Sequence, residues 1–264
     1  AAASPHALLA QPRLCVLWKP AGWSVTVADD GVAAWAHGPG AGQQLQDWLA
    51  REAGPACPIT RDESVSHGLI HRLDRDTSGA LLWASCYSGF YATRLQLRAG
   101  NVRKEYVCLC LGRVRRSLAF LDAPLRRVEE TPGFPRSIIS PQGKPARTEV
   151  SVVRHLLSPD GCAVSLVHVR LHTGRLHQIR AHFSNEGHTL VGDEIYGGEP
   201  PPWCPRLFLH ARKVVTDIGD GPIDVDVPLP ASLRSAVDSL TPAEAYSRTF
   251  EREQPSGRPC VGEA

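Results

Sequence analysis

One arginine restricts this chain more than any other residue. In the segment HTGRLHQIRAHFSNEG (residues 172–187), Leu176, Ile179, Arg180 and Phe183 fall at i, i+3, i+4 and i+7. That spacing is the inward stripe of an amphipathic helix. It predicts a helix from about Arg175 to Glu186, with Thr173 as its cap and Gly187 as its stop. Arg180 then faces the core, where a guanidinium is costly unless a carboxylate receives it. The fold has to bring an acid to this helix.

A second segment offers one. HGLIHRLDRDTSGALLWAS (residues 67–85) sets two Asp, two Arg and two His ahead of an apolar run that reads as a short buried strand. If this loop lies over the helix, Asp74 or Asp76 can accept Arg180. A carboxylate paired with Arg stays ionised and is held in one orientation, as a nucleophile or base requires. Spacing alone does not choose between the two aspartates.

Strand patterns recur at Arg13–Lys19, Val102–Gly112, Arg147–Leu156, Cys162–Leu171, Arg206–Val215 and Ile223–Val227. In the last, Ile223, Val225 and Val227 share one face, and Asp224 and Asp226 the other. Helical character marks residues 43–52, with Leu45, Trp48 and Leu49 on one side, and residues 87–98, ended by Gly100. Residues 28–42 are rich in Gly and Ala and read as a loop, and residues 117–145 carry turn signals without a strong period. Strands outnumber helices and do not alternate with them, so the expected class is α+β with a mixed or antiparallel sheet.

Composition narrows the chemistry. Between Arg94 and Arg116 there are seven basic residues against one acidic, Glu105, in a chain whose net charge is only +2. Such a cluster points to a polyanion. The eight cysteines include no C-x-x-C pair, so reduced thiols are expected rather than a disulfide framework or a zinc site. Histidines 172, 177 and 182 are spaced i, i+5, which spreads their rings over diverging faces and argues against a metal. No apolar run approaches the roughly 18 residues of a membrane span. The first residues lack a signal-peptide pattern. A cytoplasmic or organellar location, and not a secreted one, is expected, with a monomer as the default.

Five blocks, in order, resemble the RluA-type pseudouridine synthases. HRLDRDTSGALLWAS is similar to the family's H-R-L-D-x-x-T-S-G segment, and LHTGRLHQIRAHFSNEGHTLVGDEIYG to its later T-G-R-x-H-Q-I-R-x-H segment, which runs on to G-D-x-x-Y-G. Between them RKEYVCLCLG resembles the K-x-Y-x-A-x-x-x-G strand, with Cys108 in place of Ala, and GKPARTEVSVV the G-K-x-A-x-T strand. VLWKPAGWSV resembles the opening strand and K-P-x-G turn, followed by a longer Gly/Ala-rich stretch than many relatives have.

The resemblance implies a pseudouridine synthase fold: a curved mixed sheet in two halves, with flanking helices and a catalytic cleft between the halves. It implies a catalytic domain over residues 14–230, with extensions at 1–13 and 231–264. By position Asp74 becomes the catalytic aspartate, Arg180 the arginine that pairs with it, and Tyr106 the tyrosine that stacks on the uracil and is placed to take its C5 proton. Arg72 becomes the residue that fills the space left by the flipped nucleotide. The implied reaction turns uridine into pseudouridine in ribosomal or transfer RNA, with no cofactor or metal. The alternative is an RNA-binding protein that kept the fold and lost the reaction.

Overall fold

The structure, a computed structural model, describes residues 3–25, 43–54, 56–129 and 135–243. Ten strands make one mixed sheet. Its main members are β1 (His6–Ala10), β2 (Leu14–Lys19), β3 (Ser78–Ala84), β4 (Arg103–Leu111), β5 (Thr148–Leu157), β6 (Ala163–Leu171), β7 (Leu209–Thr216) and β8 (Ile223–Asp226). The spatial order is β1-β2-β3-β7-β4-β6-β5, and β8 pairs with the far part of β7. Short strands Phe120–Leu121 and Thr241–Pro242 pair with β5.

All of these pairings are antiparallel except β3 with β7, which run parallel through His210↔Ser78 and Ala211↔Gly79. This short contact joins the two halves of the sheet. It depends on Gly79, whose φ is +129° and whose added Cβ would lie 2.2 Å from the carbonyl oxygen of Ala211. Only glycine lets the two backbones come that close.

Among the described residues four α-helices cover the sheet: α1 (Leu45–Glu52), α2 (Tyr87–Arg98), α3 (Gln178–Asn185) and α4 (Ala231–Asp238). Leu45 and Leu49 of α1 and Ile179 and Phe183 of α3 pack with Leu81, Tyr106, Val167, Val169 and Leu209 in one core. Phe90 of α2 belongs to a second core with Leu14, Val16, Leu82 and Val214. Leu233 and Ala236 of α4 join a third with Leu109, Val164 and Phe208. The period-2 strand pattern explains the division, because alternate residues of β4 serve different cores.

Several expectations need correction. The helix expected from Arg175 begins only at Gln178, because His177 takes a left-handed backbone (φ 50°) and breaks the run. Thr173 therefore caps nothing directly; its hydroxyl donates to Gln178 Oε1 and accepts from the Arg147 amide. The basic cluster is two patches rather than one, since eight residue rises along β4 separate Arg103 from Leu111 by about 27 Å. Arg94, Arg98, Arg103 and Lys104 lie at one end; Arg113, Arg115 and Arg116 follow the other. The stretch without a strong period holds a hairpin, Leu125–Val128 with Arg136–Ile139. Residues 6–10 supply an edge strand, and residues 231–238 form α4. The loop expected at 28–42 lies outside the described residues. Among the described residues no helix is long and apolar enough to cross a membrane.

Candidate active site

Asp74 sits in a loop whose backbone is fixed from three sides. The Thr77 amide donates to the Asp74 carbonyl (3.1 Å) and closes a turn. The Arg75 carbonyl accepts from the Gly22 amide (2.8 Å) and from the Lys19 ammonium (2.9 Å). Arg206 Nη2 donates to the Asp76 carbonyl and to Ser78 Oγ, each at 3.1 Å. Lys19 is fully buried and forms no ion pair among the described residues; its other donors go to the carbonyls of Pro20 and Trp23. Burial pushes its pKa down to about 7, against the nearby charges of Asp74 and Asp76. The K-P-A-G turn is thus a clamp on the loop that carries the aspartate.

The structure separates the two aspartates. Arg180, from α3, donates through Nη1 to Asp74 Oδ2 (3.3 Å). Asp76 turns outward, half exposed, against Arg75 Nε at 3.4 Å. Arg180's stronger partner is a residue not singled out from the sequence. Its Nε and Nη2 hold Asp193 in a fork of 2.8 and 2.6 Å, and the Asp193 carboxylate is fully buried. Such bidentate pairs are the strong ones. Asp74, with a single longer bond, keeps most of its charge available. Asp193 is the acid of the G-D-x-x-Y-G segment, and Tyr196 of the same segment places its ring 5.4 Å from the Arg180 guanidinium.

Around Asp74 the cleft of about 190 Å³ is lined by His71, Arg72, Lys104, Tyr106, His177 and Leu209, among others. Drug-sized pockets run from roughly 300 Å³ upward, so this one suits a single base or sugar. Arg72 is exposed at the mouth. Tyr106 is buried in the floor, where burial and the neighbouring Asp74 charge push its phenol well above its usual pKa. His177 Nε2 comes within 4.0 Å of Asp74 Oδ1, and its strained backbone aims the ring there.

Burial alone would raise the Asp74 carboxyl. The charges of His177, Arg180 and Arg72, and the Arg180 hydrogen bond, outweigh it and hold the pKa below the ordinary value. His177 is itself held down to about 4 by burial, so near neutrality the arginines keep Asp74 ionised. All four residues singled out from the sequence, Arg72, Asp74, Tyr106 and Arg180, therefore line one cleft.

The sequence family described as RNA pseudouridylate synthase matches residues 13–185, which hold Asp74, Tyr106 and Arg180. The chain belongs to that family. Its members isomerise uridine in RNA, and the fold class and reaction expected from the sequence agree with this assignment. The chain is 32% identical over 256 residues to the ribosomal large subunit pseudouridine synthase D of Nitrosomonas europaea, covering 91% of this chain and 67% of that protein. It is also 32% identical to the ribosomal large subunit pseudouridine synthase C of Vibrio vulnificus, covering 68% of this chain and 57% of that one. The chain thus spans between about half and two thirds of the length of such relatives. Among solved structures, human RNA pseudouridylate synthase domain containing 1 superposes with a TM-score of 0.67 over 98% of both chains at 24% identity, a likeness of fold.

The buried imidazoles set the acid limit of this fold. His71 is held down to about 3, and His177 and His210 to about 4, in each case chiefly by burial. His210 donates from Nε2 to the Val227 carbonyl (3.0 Å) and its Nδ1 pairs with Ser78 Oγ (3.1 Å), partners that the neutral ring satisfies. The unfolded chain protonates these rings near 6.5, so stability is full above that pH and falls as pH drops toward about 4. Denaturant midpoints measured from pH 8 to pH 4 should decline from about 6.5 downward; a flat profile to pH 5 would contradict this burial.

Proposed function

We propose that this chain isomerises uridine to pseudouridine in ribosomal RNA, with Asp74 as the acting carboxylate. The observation that carries the reading is an ionised aspartate in a base-sized cleft, tied on one oxygen to an arginine whose stronger bonds go elsewhere. The relatives' names favour large-subunit ribosomal RNA over transfer RNA as the substrate, and the protein acts as a monomer.

The reaction breaks N1–C1′, turns the base and rejoins it through C5. The target uridine leaves its stack to enter the cleft, at a cost of a few kcal/mol, and Arg72 at the mouth fills the space it vacates. Asp74 then adds to C1′ or removes the C2′ proton. Tyr106 lies beneath the base as a stacking surface. Its raised pKa favours that part of its expected role over acceptance of the C5 proton, which needs the phenolate. No redox step or activated donor enters the balance, so no cofactor is called for.

Release of tritium from RNA labelled at uridine C5 tests the proposal. Release by the native chain acting on ribosomal RNA is the expected result; RNA binding without release would favour the binding-protein alternative. Asp76→Asn, which alters a half-exposed carboxylate paired with its neighbour Arg75, should keep activity within about threefold, as exposed pairs contribute little. A loss as large as that of Asp74→Asn would return the assignment to Asp76.

A further inference from the structure

Two lysines are buried near the cleft, and only one has its charge satisfied. Lys19 gives three hydrogen bonds to carbonyls. Lys104, 7% exposed, forms no hydrogen bond or ion pair with any described residue, yet it lines the same cleft as Asp74 and Tyr106. Its Nζ lies against the T-G-R turn, 3.5 Å from where a Cβ on Gly174 would sit. A buried ammonium without an acceptor is expensive, and burial alone lowers its pKa to about 8. Lys104 lines the cleft, and a ligand entering there can supply the acceptor that the described residues do not.

Position narrows what that is. Lys104 and Tyr106 are two residues apart on one face of β4, so their side chains leave the strand about 7 Å from each other. If the base stacks on Tyr106 and the sugar meets Asp74, Lys104 is displaced from the base toward the nucleotide backbone. A uracil carbonyl is neutral, whereas a phosphodiester carries a full charge and repays desolvation of an ammonium far better. Next to Lys104, burial and the lysine's own charge keep His71 neutral, so it is no rival cation.

We propose that Lys104 grips a phosphodiester adjoining the target uridine, and so fixes the register of the flipped nucleotide over Tyr106. The proposal rests on the uridine-isomerase reading above. Arg94, Arg98 and Arg103 at the same end of β4 hold the more distant backbone, but Lys104 alone among them is inside the cleft.

The test uses a synthetic stem-loop built around a uridine mapped by tritium release. It is made in three forms: all phosphodiester, one methylphosphonate on the 5′ side of the uridine, or one on the 3′ side. On the all-phosphodiester RNA, Lys104→Met should lower kcat/KM about 10- to 100-fold, the worth of one charged hydrogen bond. Lys104→Arg should recover much of that loss. Neutralising the contacted linkage should bring the wild type down to the level of Lys104→Met and cost the variant nothing further.

If both methylphosphonates slow wild type and variant by equal factors, or neither slows the wild type, the contact is not to phosphate and the proposal falls. The second of these arms is read on wild type alone, so it holds even if Lys104→Met does not fold. Tritium release that is indifferent to linkage overturns the contact and leaves the isomerase reading intact. Absence of release from any cellular RNA overturns both.

Discussion

Asp74→Asn should reduce tritium release at least about 10³-fold while leaving the protein folded. The amide keeps the shape of the carboxylate and can still accept from Arg180 Nη1, which stands 3.3 Å away. What it lacks is the negative charge, and the pairing described above serves to keep that charge at neutral pH. Arg180 does not become an orphan in this variant, because its fork with Asp193 is untouched. Denaturant midpoints should therefore move little, and the loss should fall on kcat. Activity within tenfold of wild type would show that another group performs the chemistry.

The opposite pattern is expected for Arg180→Ala, in which stability suffers with activity. Removing the guanidinium leaves Asp193, with no exposure, without its ion pair and strips Asp74, at 15%, of its hydrogen-bonded cation. Breaking a buried pair in this way costs about 3–5 kcal/mol. The unpaired carboxylates would titrate higher than in the unfolded chain. The deficit should therefore shrink as pH falls and protons neutralise them, a sign opposite to that of the buried histidines. Arg180→Lys is the informative companion: one ammonium cannot span both carboxylates as a planar fork does, so it should restore stability better than activity. A variant Arg180→Ala with wild-type stability at pH 7 would mean that Asp193 is held by something other than this arginine.

That Arg180 needs Asp74 or Asp76 is legible in the sequence, because an arginine on a buried stripe demands a carboxylate. The choice of Asp74 comes from the family resemblance and not from spacing. Asp193 is not legible, although it makes the better bonds. An aspartate after glycine in a turn reads as a solvated turn residue, and nothing local says that an arginine thirteen residues earlier reaches back to it. Lys19 escaped for a similar reason: lysine beside proline and glycine belongs to a surface turn unless distant carbonyls surround it. The strands were legible one by one from their period of two. Their order was not, because the parallel join of β3 to β7 is made between residues about 130 positions apart. The late start of α3 depended on the left-handed backbone of His177, which no spacing rule foresees.

The two groups that meet at the centre of the cleft are separated by 106 residues of chain. Between them run β3, α2, β4, the hairpin, β5 and β6, all of which must find their places before aspartate and arginine touch. Closing so long a loop precedes any reward from the contacts it permits, and sheets of such high contact order assemble slowly. A partly folded chain can hold RNA by its basic residues well before it has a carboxylate ready to react. During folding, affinity for RNA should arise earlier than catalysis, so the nascent protein gains a grip on its substrate before it gains the power to alter it.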